Sequence, residues 1–450
     1  MKKTLLLSLA LGLANAASLH AATVEVFLTG STAFRANAYV AATKLFVGSN
    51  PVIYYGDSAH GGSGSTFNSG TASWVMTGTP ITQLTNISGN TLVVHGLFTG
   101  SIQGIQTVEQ STPLVFAAPS GTPSGNCNAY VTNTPTIGFS DASSSSTPFT
   151  AVGNYAEESV AVLPFVFTKS NGNPAILTNI SNMSIEQLIY GIPNGRIPLS
   201  TWTAKSADTN TFIYLAQRTK DSGTRRTETA QANYAYNDSV GVYIWDATNK
   251  VWYLPTDNVV VALGSAPHGV VGPAGLNSVN ANWGFGYVGG GDLRTALADS
   301  TNANNAIGFI SMSDTKSTLL GGSNWANVIP FNGYWPTATG AGLRGNTGTN
   351  DFSPITLGYY PCWSEEAIVY PIDPSVISDS KITAFQLGNQ TTPGSFLGVF
   401  NAQTKINGGS PLVGSIENEI ELSKVGSATA IRLSDMRCNR SAVGGIISPF

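Results

Sequence analysis

The chain has 450 residues, 42% of them hydrophobic, enough to bury a large core organised as two or three domains or one large two-lobed unit. Only 10% are charged, with 21 Lys and Arg against 25 Asp and Glu. That balance excludes a charge-rich disordered chain and, at a net charge of −4, a nucleic-acid binder held by bulk positive charge.

Residues 1–22 read as a secretory signal peptide: Lys2 and Lys3, an apolar run from Leu5 to Leu13, then small residues at 14–16 and 21–22. The run is shorter than the roughly 20 residues of a spanning helix. The expectation is an exported protein, periplasmic or secreted, without membrane insertion. Losing Lys2 and Lys3 takes the net charge to about −6.

The mature chain then opens on a short β-favouring run, Val24 to Leu28. It turns through Thr29-Gly30-Ser31-Thr32 into a helix over 33–46, with Ser31 or Thr32 as its cap. Strands follow at 51–56, 71–78 and 90–100, interrupted by a polar loop at 60–70, and a second turn-to-helix passage occupies 100–110. Residues 111–135, rich in Ser, Pro, Thr and Asn, read as an irregular surface insertion. Strands are expected at 136–143 and, in an almost wholly apolar run, at 159–170. A serine-capped helix at 183–192, a strand at 211–218 and a helix at 222–235 begin a second α/β set. A hairpin over 240–255, a Gly-rich start to a helix at 289–300 and a strand at 306–313 complete it. The loop at 334–352 is a boundary, and a strand within 358–371 and a helix at 375–388 close the fold.

Four of these strands run into small or hydroxyl residues at or near a helix start: 29–33, 99–104, 138–143 and 218–224. Amides at a helix N-terminus lack partners within the helix and carry partial positive charge, so they attract oxyanions. Ser and Thr hydroxyls add donors, and Arg218 adds a fork matched to two oxygens of a tetrahedral anion. Each stretch alone is more often a plain cap or turn. Together they make an anion site.

In this order, Gly30-Ser31-Thr32, then Gly100-Ser101 with Gly104, then Ser140-Asp141, then Arg218 with Ser222-Gly223-Thr224, the chain resembles the periplasmic phosphate-binding proteins of the phosphate ABC transporter (PstS type). Segments 179–202 and 305–312 are also similar, and the likeness covers much of 24–313 and loosens beyond. Lys220 stands where that family usually has an acidic residue, two places after the arginine.

The resemblance implies an α/β, two-lobed periplasmic-binding-protein fold of type II, its lobes joined by two hinge crossings. Lobe I is 23–163 with 353–450, carrying insertions at 57–98 and 111–135, and lobe II is 164–352. It further implies that Thr32, Ala33, Ser101, Asp141, Arg218, Ser222, Gly223 and Thr224 contact inorganic phosphate. The protein is then a monomeric binding protein, not an enzyme, that delivers phosphate to the membrane subunits of an ABC transporter.

Asp141 is useful beside an anion when the ligand keeps a proton, because the carboxylate accepts the P–O–H hydrogen bond and rejects sulfate. Alternatively it caps a turn or pairs with Arg218. Arg225 and Arg226 are expected on the exposed face of their helix, pairing with Glu228 or Asp221 or drawing anions toward the cleft. Two of Cys127, Cys362 and Cys438 can pair, and spacing does not choose which.

Two other functions are compatible with the residues. A surface or structural protein could retain the scaffold without binding an anion. A secreted phosphatase would need a metal pair or an activated nucleophile. With His60, His95 and His268 far apart in the mature chain and no C-x-x-C, no metal or cofactor is expected.

Overall fold

The computed structural model describes residues 22–57, 60, 67, 71–149, 155–253, 286–287, 289–315, 327–338, 351–372, 387–388, 392–400, 431, 435–440 and 447–449. The expected signal peptide apart from Ala22, the loop at 60–70 apart from His60 and Phe67, and the expected helix at 375–388 apart from Leu387 and Gly388 lie outside these residues.

The fold is α/β, built on one mixed 11-stranded sheet. The strands are β1 (Thr23–Gly30), β2 (Val52–Tyr55), β3 (Ser73–Gly78), β4 (Thr91–Leu97), β5 (Leu114–Ala117), β6 (Tyr130–Asn133) and β7 (Ile137–Ser140). There follow β8 (Tyr155–Lys169), β9 (Arg196–Pro198), β10 (Phe212–Ala216), β11 (Ile244–Asp246), β12 (Val251–Tyr253), β13 (Ala306–Ser311), β14 (Val328–Ile329) and β15 (Trp363–Pro371). The longer helices are α1 (Arg35–Thr43), α2 (Ser101–Glu109), α3 (Ile185–Asn194), α4 (Gly223–Gln231) and α5 (Gly290–Ala298).

The sheet runs β2-β3-β4-β1-β7-β15-β8-β13-β10-β9, with β14 also on β8. The 15-residue β8 links its two halves: residues 155–164 pair with β15, and residues 165–169 with β13. β1 lies parallel between β4 and β7, which explains its continuous apolar run: Val24, Val26, Phe27 and Leu28 are all buried. In the second half β10 lies parallel to β13. Helices cover the sheet because their apolar positions recur at helical spacing; α1 buries Ala38, Tyr39, Ala41 and Ala42. Fully burying a large apolar side chain contributes about 1.5–3 kcal/mol, and Trp74, Phe139 and Trp363 are among those buried.

α3 begins at Ser184 with a capping box to Gln187 and ends at Gly195 with φ 66°. α1 differs from expectation. Its N-cap is Phe34, with no side-chain cap, because Ser31 and Thr32 belong to the turn that leaves β1. Residues 111–135 are more ordered than their composition suggests. They form the β5–β6 pair, which packs Ala117 and Cys127 against Val75 and Val93. Segment 57–98 supplies β3 and β4 to the central sheet itself. The three cysteines are buried and none is bonded to another, so the expected pairing is not formed.

Candidate functional site

Four strand ends converge where the two halves of the sheet meet. β1 ends at Gly30, whose φ of 117° turns the chain into Ser31 and Thr32; a Cβ there would fall 2.0 Å from the Phe139 carbonyl. Ser31 N–H donates to that carbonyl (2.9 Å), binding the ends of β1 and β7 together. β4 leads through Gly100 into α2, so Ser101 opens that helix. α2 sits tightly on this turn: a Cβ at Gly104 would lie 2.7 Å from Gly30 Cα and 2.7 Å from the Phe139 oxygen. β7 delivers Asp141, and the Ser364 hydroxyl of β15 donates to the Asp141 carbonyl.

β10 delivers Arg218 from the second half. Tyr287 N–H donates to the Gln217 carbonyl (3.0 Å) and Thr219 N–H to the Tyr287 carbonyl (3.0 Å), fixing the strand's exit. Ser222 then caps α4 by accepting from Arg225 N–H (3.4 Å). Ser222, Gly223 and Thr224 are thereby placed at a helix N-terminus, where backbone amides point outward.

Arg218 ties the two sets together. It is 3% exposed. Nη2 donates to Thr32 Oγ1 (3.4 Å) from the first half, and Nη1 to Thr224 Oγ1 (3.4 Å) from the second. Nε donates to the Tyr287 carbonyl (3.0 Å), which aims the fork. Burial lowers the guanidinium's pKa, while Asp314, Asp141 and Asp292 act in the opposite direction.

Asp141 faces this cluster from the first half and is 1% exposed. Its Oδ1 has no hydrogen-bond partner and lies against α4: a Cβ at Gly223 would fall 1.5 Å away. Burial pushes its carboxyl up to about 6, opposed by the Ser101 hydroxyl and the Arg218 guanidinium. The Arg218 guanidinium favours the charged form of Asp141, so an electrostatic pairing of the two accompanies the placement of Oδ1 against α4.

All eight residues singled out from the sequence occupy these strand ends. Ser101, Asp141, Arg218, Ser222, Gly223 and Thr224 are buried there, and Thr32 and Ala33 half-buried. Arg225 and Arg226 depart from expectation. Arg225 is buried, its Nη1 donating to the Arg218 carbonyl (3.1 Å), because α4 turns that face inward. Arg226 is half-buried and reaches into the first half, its Nε donating to the Ser146 carbonyl (3.1 Å).

A second rank of charge escaped the sequence. Arg35, at the first position of α1, is pulled down by burial and up by Asp314 and Asp292. Asp314 accepts from the Ser311 hydroxyl (2.8 Å) and lies 4.0 Å from Arg294; Asp292 accepts from Gly289 N–H (3.0 Å). These aspartates supply negative potential to Arg218. Lys220 itself stacks over Tyr236 (4.2 Å) and donates to Asn237 (3.1 Å). Glu366 of β15, wholly buried, also went unremarked.

No family model and no curated protein matches the chain. Solved structures similar to it include a phosphate transport receptor and phosphate-binding proteins. An ABC-type phosphate transport receptor from Vibrio cholerae has 15% identity and a TM-score of 0.35, over 78% of this chain and 88% of that one. PstS from Borrelia burgdorferi has 14% identity and a TM-score of 0.31, over 79% and 89%. A phosphate-binding protein from Stenotrophomonas maltophilia has 14% identity and a TM-score of 0.33, over 78% and 79%. Likeness at this level leaves the site's own geometry to carry the functional reading.

Proposed function

We propose that the protein is an extracytoplasmic solute-binding protein that holds inorganic phosphate between two lobes and passes it to the membrane subunits of an ABC transporter. The lobes are 23–163 with 353–450, and 164–352. The observation that carries this reading is the buried Arg218 fork, which touches a hydroxyl from each half of the sheet. An oxyanion placed there meets Thr32 and the Ala33 amide, Ser101 at the start of α2, and Ser222, the Gly223 amide and Thr224 at the start of α4. Charge-assisted hydrogen bonds at about 1.5–3 kcal/mol each are enough to supply the roughly 8 kcal/mol of micromolar binding.

Asp141 sets which oxyanion enters. As a carboxylate it accepts a hydrogen bond from the remaining P–O–H of phosphate, and it repels sulfate, which has none. No reaction follows binding; the protein is a monomeric carrier rather than an enzyme. Thermal unfolding with and without phosphate tests the reading. A ligand at a hundred times its dissociation constant stabilises by about 2.7 kcal/mol, so wild-type protein should melt at higher temperature with phosphate, and R218A should not respond. An equal response in R218A would remove the arginine from the site.

A further inference from the structure

β15 runs beside β7 and β8 and carries Glu366 at an irregularity, where its register on β8 shifts before Ala367. Glu366 is 0% exposed, and neither of its carboxyl oxygens has a hydrogen-bond partner. Oδ1 of Asp141, Oγ of Ser31 and Oγ1 of Thr29 are buried and unpartnered as well. These groups come from the ends of β7 and β1 and from β15, neighbours in the sheet, and Glu366 and Asp141 flank the Ala367–Ser140 pair of β15 and β7. Buried polar atoms without partners are uncommon, and each calls for an explanation.

The neighbours of Glu366 define its charge. Across the β15–β8 pairing it meets uncharged Ala161. From β7 comes Asp141, which favours the protonated form of Glu366, and from β1 comes the Ser31 hydroxyl, which acts on both carboxyls. Arg218 reaches Asp141 from the opposite lobe. Two neighbouring carboxyls withdrawn from water do not both ionise, and one of them keeps a proton. The guanidinium on the Asp141 side places the negative charge there and leaves the proton on Glu366.

We infer that Glu366 is a positioning residue for the anion site: it keeps a proton and so leaves Asp141, which with it flanks the Ala367–Ser140 pair of β15 and β7, as the charged hydrogen-bond acceptor. With one proton the pair bears a single negative charge, which admits an oxyanion that brings a proton of its own. A second proton makes Asp141 a donor and ends the discrimination. Loss of the last proton sets two negative charges beside the ligand and weakens binding. The selective role rests on the phosphate reading above; the location of the proton does not.

Infrared difference spectroscopy of ligand-free protein near neutral pH tests it. Wild type minus E366Q should contain the carbonyl band of a protonated carboxylic acid. Glu228, pushed up to about 8 by burial, contributes its band to both proteins and cancels. In D141N, which removes the neighbouring negative charge, the Glu366 band should titrate at lower pH than in wild type. No Glu366-dependent band, or an unchanged titration in D141N, overturns the inference. Phosphate affinity against pH, each protein scaled to its own neutral value, should decline less toward alkaline pH in E366Q than in wild type; identical profiles contradict the role. A protein that bound no phosphate would sink the functional reading, while the infrared arm would still decide where the proton lies.

Discussion

Asp141 is 1% exposed, and burial raises its carboxyl to about 6, against about 3.9 in an unfolded chain. The folded state therefore binds this proton more tightly than the unfolded state does. Stability from this group is full below pH ~4, falls as pH rises toward about 6, and stays reduced by about 3 kcal/mol above that. D141N should accordingly be more stable than wild type near neutral pH, by up to about 3 kcal/mol, with the gap closing in acid. Denaturant unfolding at the two pH values checks this. The same variant should lose its preference for phosphate over sulfate, because an amide can donate to an unprotonated anion. At this scale the sequence was informative where one short stretch held the whole signal, as around Arg218. It was silent on Glu366, Asp292 and Asp314, whose bearing on the site comes from strands and helices far away in the chain.

The helix starts set the site's shape, and two glycines test it. A Cβ at Gly223 would fall 1.5 Å from Asp141 Oδ1 and 2.8 Å from Ser101 Cβ. Gly223→Ala should therefore displace the Asp141 carboxyl and weaken phosphate binding tenfold or more, about 1.4 kcal/mol, although alanine favours the helix itself by up to about 1 kcal/mol. Calorimetric affinity and melting temperature, measured together, separate the two effects. Gly104→Ala meets backbone on two sides, Gly30 and Phe139, so it should cost about 1–3 kcal/mol of stability, read by chemical denaturation.

Elements with clear local signals were legible from residues alone: β1, α2, the serine cap of α3, and β10 leading to α4. The β5–β6 pair was not, because its Ser-, Pro- and Asn-rich composition reads as loop and its order comes from packing on β3 and β4. The inward turn of Arg225 and Arg226 was also hidden. Their helix has a weak apolar stripe, and contacts from the opposite half decide which face is buried.

At the scale of the whole molecule, three contacts bring the halves together over the site. Arg218 donates to Thr32, the Ile102 amide at the start of α2 donates to the Asp221 carbonyl (3.1 Å), and Arg226 donates to the Ser146 carbonyl (3.1 Å). Arg226 lies beside the anion-binding groups rather than among them. R226A should therefore lower phosphate affinity about tenfold by loosening closure while leaving the ratio of phosphate to sulfate affinity unchanged; competition binding would read both.

The central claim is that this junction closes on a protonated oxyanion. Isothermal titration of ligand-free mature protein, first with phosphate and then with sulfate, tests it most directly. The account predicts one phosphate per chain, at micromolar affinity or tighter, with little heat from sulfate. Sulfate binding as tightly as phosphate would contradict the role given to Asp141, and no binding of either anion would contradict the function itself.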